Sequence, residues 1–131
     1  METLSFRLKP GQDLFEEIEK VVAEQGIAAG CLLCAVGSLT HARLRLADRN
    51  SYSDYEGHFE IVSLTGTTSI HGSHIHISVS DEDGRTIGGH LVPGCKIYTT
   101  AEIVLAVFQD VVYRREPCPL SGYDELVVLK N

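Results

Sequence analysis

The chain reads HIHISVS from His74 to Ser80, DEDG from Asp81 to Gly84 and RTIGGH from Arg85 to His90. Two segments rich in β-branched residues flank an acidic turn that ends in glycine, and this pattern predicts a β-hairpin. Side chains alternate between the two faces of a strand, so His74 and His76 point to the same face. The hairpin therefore places two imidazoles next to each other on one face of a sheet.

The length of the turn decides whether His90 joins this pair. A three-residue loop, Glu82–Gly84 with its glycine in the left-handed conformation, pairs Asp81 with Arg85. That register places His90 opposite His76, whereas a two-residue loop turns His90 to the other face. In the first register three imidazoles converge and leave a fourth coordination position open, as is typical of open rather than structural zinc sites.

A polar outer face is the alternative interpretation of the same histidines. A His-x-His pair occurs often on exposed strands, and no carboxylate or cysteine at ligand spacing reinforces the metal interpretation. Gly88-Gly89 favours a site, because paired glycines weaken a strand unless a backbone or a ligand must approach closely. His71 lies in the preceding loop, where its side chain need not share the face of the pair, and it is left out of the ligand set.

Outside the hairpin the sequence predicts one principal helix and a series of strands. Asp13 is followed by Glu16 three residues later, as in a capping box, and an apolar stripe at helical spacing extends to Gly26. We expect a helix over residues 13–25, lying across the sheet, and a turn at Gly37-Ser38. Residues 96–108 suit a helix or a strand, and their many β-branched side chains favour the strand. The other expected strands cover residues 3–8, 28–36, 39–47, 58–66, 111–115 and 126–129.

Composition places the chain among ordinary globular proteins. The length of 131 residues indicates one domain. The chain is 44% hydrophobic and 22% charged, as is typical of globular domains. No apolar run approaches the ~20 residues that span a membrane. The start at Met1–Leu4 lacks a charged and then apolar signal pattern, so we expect a cytoplasmic protein with no membrane partner.

Net charge argues against direct DNA binding. The formal charge is −7, and duplex recognition relies on Lys and Arg to neutralise phosphates. Two groups of basic residues could form a local stripe, but both are more simply solvated strand faces and termini. They are Arg43, Arg45 and Arg49 in one group, and Arg114 and Arg115 in the other.

The spacing Cys31-x-x-Cys34 matches a redox or zinc motif. It lies in the apolar run 28–36, which predicts a buried strand, and residues three apart on a strand point to opposite faces. The two thiols could then neither chelate one ion nor close a disulfide without a bend. We interpret them as buried free cysteines.

Several motifs, taken together, resemble the plants-and-prokaryotes-conserved (PPC) domain. They are PGQDL from Pro10 to Leu14, Gly37-Ser38-Leu39, GHFEIVSLTG from Gly57 to Gly66, the His74-x-His76 pair, Gly88-Gly89-His90-Leu91 and TAEIV from Thr100 to Val104. The resemblance covers nearly the whole chain, in order and with suitable spacing. It implies a single compact α+β domain over residues 1–131, with an antiparallel or mixed β-sheet, one principal helix packed on it, and assembly as a homotrimer.

The resemblance also implies a site and partners. Prokaryotic single-domain members carry a metal on three histidines, which correspond here to His74, His76 and His90, and zinc is the metal we expect. In plant members, which also carry an AT-hook, the domain associates with itself and with transcription factors. Prokaryotic members are often described as DNA-binding by analogy, although this chain contains no Arg-Gly-Arg-Pro AT-hook.

Three functions remain open from the sequence, and we rank them in order. The first is a metal-binding homotrimeric regulatory or assembly module that contacts another regulatory protein. The second is a small metal-dependent enzyme that uses a water bound at the three histidines, with Glu102 as the candidate catalytic carboxylate. Nothing in the sequence brings Glu102 near the histidines. The third is a DNA-binding protein, which the net charge disfavours.

Overall fold

One helix and eight strands make up the computed structural model, which describes all 131 residues. The predicted helix and all the predicted strands are present, although two of those strands are merged and several are longer than expected. The helix is not long and apolar enough to cross a membrane. The elements are β1 Glu2–Leu8, α1 Leu14–Glu24, β2 Gly30–Arg45, β3 Ser53–Thr68, β4 His74–Ser80, β5 Thr86–Leu91, β6 Lys96–Val107, β7 Val111–Pro117 and β8 Asp124–Lys130.

Six strands form an antiparallel sheet in the order β1-β6-β2-β3-β4-β5, and β7 pairs with β8 in a separate two-stranded sheet. One edge of β2 pairs with β6 over most of its length and then with β5, through Leu44–Leu91 and Arg45–His90. Because β2 also pairs with β3, the strands β2, β3, β4 and β5 form a closed ring. The predicted α+β class is confirmed, and the strand pairs are antiparallel.

Asp13 fixes the start of the helix. One of its carboxylate oxygens accepts a hydrogen bond from the Glu16 backbone N–H at 3.0 Å, and the other accepts one from Gly94 N–H at 2.7 Å. The helix is thereby joined to the turn between β5 and β6. The buried side chains of α1, Leu14, Ile18 and Val22, belong to the same apolar core as the inner side chains of the sheet.

The expected turn at Gly37-Ser38 is wrong, because residues 28–36 and 39–47 lie largely in one continuous strand, β2. Its register shifts at three places along β6, which bends the strand without breaking it. A Cβ at Gly37 would overlap the carbonyl oxygen of Thr100 on β6. The glycine therefore permits close approach of two backbones, and it gives the same sequence signal as a turn.

The first half of β2 is also less buried than the sequence predicts. Leu33 is 49% exposed and Val36 is 62% exposed, and Val62 on the neighbouring strand β3 is similarly open. Cys34 is exposed and Cys31 is half-buried, so the expectation that both are buried is wrong, although both are free thiols. Apolar side chains thus lie uncovered on the two longest strands of this single chain.

Gly88 and Gly89 allow β5 to fit between its two neighbours. A Cβ at Gly88 would lie 2.7 Å from the carbonyl oxygen of Ile77 on β4, and a Cβ at Gly89 would lie 2.8 Å from that of Arg45 on β2. These distances are shorter than van der Waals contact. The expectation of a close backbone approach at this glycine pair is confirmed.

We predict that Gly89→Ala lowers the free energy of unfolding by about 1–3 kcal/mol, because the added methyl group forces β5 away from β2. Urea unfolding followed by circular dichroism measures the change. Thr86→Ala, an exposed position on the same strand, is the control and should lie within about 0.5 kcal/mol of wild type. A neutral effect of Gly89→Ala would show that the ring of strands tolerates a side chain there.

Candidate metal centre

The turn between β4 and β5 has the three-residue form that brings the histidines together. The Asp81 backbone N–H donates to the Arg85 carbonyl at 2.9 Å, and Gly84 has a φ of 78°. In the resulting register His76 lies opposite His90. Of the two registers left open by the sequence, the one that places three imidazoles on one face is confirmed.

The three imidazoles form a compact group at one end of the hairpin. One nitrogen from each of His74, His76 and His90 can be chosen so that all three lie within 4.8 Å of one another. The ring centroids are 4.8 to 5.8 Å apart, and the ring planes are inclined to each other by 40° to 87°. The rings therefore converge without stacking, and the group could hold a metal ion.

The surroundings of His74 and His90 favour the neutral form of both imidazoles. Burial lowers the pKa of His90 to about 4, and the positive charge of Arg45 adds to this effect. Burial, together with the neighbouring His76, also lowers the pKa of His74. The Nδ1 atom of His90 is buried and has no hydrogen-bond partner. Neutral imidazoles with an unused nitrogen are the donors that a divalent transition metal such as zinc takes, so the residues fit such a metal.

A polar cavity of about 790 Å³ is lined by His74 and His90, two of the three histidines of the group. Arg45 reaches it from β2, where it pairs with His90, and its side chain shares the face of that histidine. His71 lines the same cavity, although it does not belong to the three-histidine group. The sequence interpretation of Arg45 as a solvated surface residue did not foresee this position, because only the pairing of β2 with β5 creates it.

The β7–β8 hairpin supplies part of the lining of this cavity. Its backbone is bonded to the segment just before β2 by a hydrogen bond from Tyr113 N–H to the Ala28 carbonyl at 2.9 Å. The buried hydroxyl of Ser69 lies within 3.0 Å of the carbonyl oxygens of both these residues. Arg115 donates to the Thr67 hydroxyl at 3.0 Å, and Thr67 pairs with His74. Arg115 is therefore held on the side of the cavity next to His74.

Glu102 lies elsewhere in the sheet. It is on β6, opposite Arg7 of β1 and Val36 of β2. Arg45, which marks the position of His90 on β2, is nine residues beyond Val36. At the rise of an extended strand this corresponds to roughly 30 Å. The structure thus brings together the three predicted metal ligands but places the candidate catalytic carboxylate away from them.

Fold and site together define a small α+β domain with an open three-histidine group. The family model of the Plants and Prokaryotes Conserved (PCC) domain matches residues 1–109. The chain belongs to this family, as its motifs indicate. The β7–β8 hairpin, with Arg115, lies beyond the matched residues.

Curated relatives carry this domain as part of longer proteins. The chain is 49% identical over 124 residues to the bifunctional protein GlmU of Synechococcus sp. strain JA-3-3Ab, covering 95% of the chain and 20% of that protein. It is 30% identical over 118 residues to the AT-hook motif nuclear-localized protein 2 of Arabidopsis thaliana, covering 83% of the chain and 35% of that protein. The chain thus spans between a fifth and about a third of the length of these relatives.

Solved structures share the whole fold. A hypothetical protein of Salmonella enterica is 37% identical, with a TM-score of 0.97 over 99% of this chain and 94% of that one. A metal-containing protein of Archaeoglobus fulgidus is 27% identical, with a TM-score of 0.78 over 97% and 94% of the two chains. Both similarities extend over the β7–β8 hairpin as well as the main sheet.

We predict that the metal-free protein loses stability as the pH falls from about 6.5 to about 4, in part through His90. The pKa of His90 is about 4 in the folded chain and near 6.5 in the unfolded chain, so the unfolded chain binds more protons in this window. His90→Gln should lose less stability between pH 7 and pH 5 than wild type, as measured by urea unfolding with a chelator present. His41→Gln, at an exposed histidine outside the group, is the control. Equal losses in wild type and His90→Gln would contradict the prediction.

Proposed function

We propose that this chain is a metal-binding module that holds one zinc ion on His74, His76 and His90 and acts through contacts with other proteins. The observation that carries the proposal is the convergence of three imidazoles, one of which, that of His90, has a buried Nδ1 without a hydrogen-bond partner. Zinc is bound by neutral imidazole nitrogens in this number at open sites. The metal-containing relative from Archaeoglobus supports the assignment.

The metal would supply a positive charge and one exchangeable coordination position next to the cavity. The protein's own residues prepare that position. The β4–β5 register aligns the imidazoles, and burial together with Arg45 keeps His90 unprotonated. The donor set is thereby arranged before any metal arrives, which lowers the conformational cost of binding.

Assembly into a homotrimer is part of the proposal. Four large apolar side chains on the central strands of the sheet are 41% to 62% exposed, and exposed apolar surface favours association. They are Leu33, Val36, Val62 and Tyr98. Burying these strands between subunits would remove the exposed surface from water. The number three comes from the resemblance to the PPC family rather than from composition.

The modular role is supported by the larger proteins in which the domain occurs. One relative that contains the matched region is a bifunctional protein, and another is a plant nuclear-localized protein with an AT-hook motif. A domain that accompanies such different neighbours suits a regulatory or assembly function better than one fixed reaction. Another regulatory protein is therefore the partner class we propose.

Enzymatic function is the second candidate, and the cavity of about 790 Å³ next to the histidines favours it. Direct DNA binding ranks third. The chain carries a formal charge of −7, so a trimer carries about −21 and repels a polyanion at long range. Zinc ions would offset only about +6 of this, and from within a recess rather than on an exposed stripe.

We predict one transition metal per chain in the purified protein, with zinc the most abundant, as measured by elemental analysis. His76→Ala should abolish stoichiometric metal and leave the fold largely intact, because the side chain is exposed and its removal opens no cavity in the core. His41→Ala removes a histidine outside the group and should retain the metal. Stoichiometric metal in the His74, His76 and His90 triple-alanine variant would show that the ligands are other residues.

A screen of small hydrolysable esters and phosphoesters on the same samples separates the first two candidates. Metal without turnover supports the module. Turnover that disappears together with the metal in His76→Ala supports the enzyme.

We predict a mass of three chains by multi-angle light scattering at micromolar concentration. Val36→Glu should shift the protein to the monomer, because it places a charge on the apolar strand surface. Leu120→Glu makes the same kind of change at a residue that is 98% exposed in the β7–β8 turn, and it should leave the trimer intact. A monomeric wild-type protein would overturn the assembly proposal.

A further inference from the structure

Two arginines flank the three histidines from opposite sides. Arg45 is the cross-strand partner of His90 on β2, and Arg115 is bonded to Thr67, the cross-strand partner of His74 on β3. Both side chains are half-buried and both line the cavity of about 790 Å³. Two guanidinium groups therefore lie next to the three-histidine group, which itself fits a metal cation.

Neither arginine is neutralised by a carboxylate. The four ion pairs of the chain lie at other positions, and no Asp or Glu oxygen comes within 4.0 Å of the guanidinium nitrogens of Arg45 or Arg115. Three acidic residues also line the cavity but form no ion pair with these arginines. They are Asp48, Asp124 and Glu125. Guanidinium groups that have no carboxylate partner in a recess are available to bind an anion from solution.

The charge of the cavity differs from that of the whole chain. Its lining contains Arg45, Arg49 and Arg115 against three carboxylates, which makes it formally neutral in a chain of charge −7. A divalent metal on the histidines would bring the cavity to about +2. The combined site would then be the cationic recess of an acidic protein.

We infer that this cavity binds a small organic anion, whose carboxylate or phosphate oxygen takes the open coordination position of the metal while Arg45 and Arg115 pair with its charge. The inference rests on the proposed metal site and names the class of ligand that the module binds. Guanidinium groups bind carboxylate and phosphate oxygens in a planar, bidentate geometry. A volume of about 790 Å³ suits a small molecule. The acidic exterior and the recessed position disfavour a nucleic acid strand.

The test uses the whole 131-residue chain loaded with cobalt(II), whose visible absorption reports changes in coordination that zinc does not show. Inorganic phosphate and acetate are the anionic probes, and neutral imidazole is a probe that needs only the open metal position. Phosphate, acetate or both should change the cobalt spectrum saturably. Arg45→Gln and Arg115→Gln should each weaken this anion binding by roughly tenfold or more, since each loses a charge-assisted hydrogen bond.

Arg114→Gln is the matched control, because it removes the same charge from the residue next to Arg115 at an exposed position of β7. It should change anion affinity by less than about twofold. Imidazole binding should be the same, within about twofold, in all variants, and this result also shows that Arg115→Gln has kept the site folded after losing its bond to Thr67. Arg45 makes no bond to Thr67, so Arg45→Gln tests the anion site without disturbing that contact.

The outcomes separate this inference from the proposed metal site. Failure of cobalt to bind overturns both. Cobalt and imidazole binding without any response to phosphate or acetate overturns the anion site and leaves the metal site standing. Anion binding of equal strength in wild type, Arg45→Gln and Arg115→Gln shows that the metal alone holds the anion, which also overturns the inference.

Discussion

The pairing of β5 with β2 is the contact on which the rest of the structure depends. Two backbones meet where Gly89 lies against the Arg45 carbonyl oxygen, at a distance that leaves no room for a side chain. This contact closes the ring of strands, aligns Arg45 with His90 and brings the cavity up to the histidines. The absence of a side chain at this glycine therefore permits the contact that joins Arg45 to the three-histidine group.

The hairpin could be predicted from sequence because its determinants are local. Turn length, the left-handed Gly84 and the alternation of side chains were sufficient to place His74, His76 and His90 on one face, once the three-residue loop was selected. The boundaries of β2 were harder. Gly37 gives the signal of a turn, but its absent side chain accommodates the backbone of β6, and that neighbour is more than sixty residues away in the chain.

The arginines of the cavity could not be predicted for the same reason. Arg45 acquires its role from β5, and Arg115 acquires its role from the attachment of β7 to the end of β3. Neither contact leaves a periodic or spacing signal near the residue itself. Sequence reasoning predicted that the three histidines lie together and missed the arginines around them, since the histidines share one hairpin and the arginines come from distant strands.

One part of the site lies within the region that the family model matches, and the other lies beyond it. The matched region, residues 1–109, carries the imidazoles and Arg45, whereas Arg115 lies in the hairpin beyond it. Residues within the shared sheet are constrained by strand pairing on both sides, as His90 is by His76 and Arg45. The β7–β8 hairpin contacts the rest of the chain through a few hydrogen bonds, among them that of Arg115 to Thr67. In the proposed site, metal affinity would therefore depend on the shared sheet alone, whereas anion affinity would also depend on Arg115 of the hairpin.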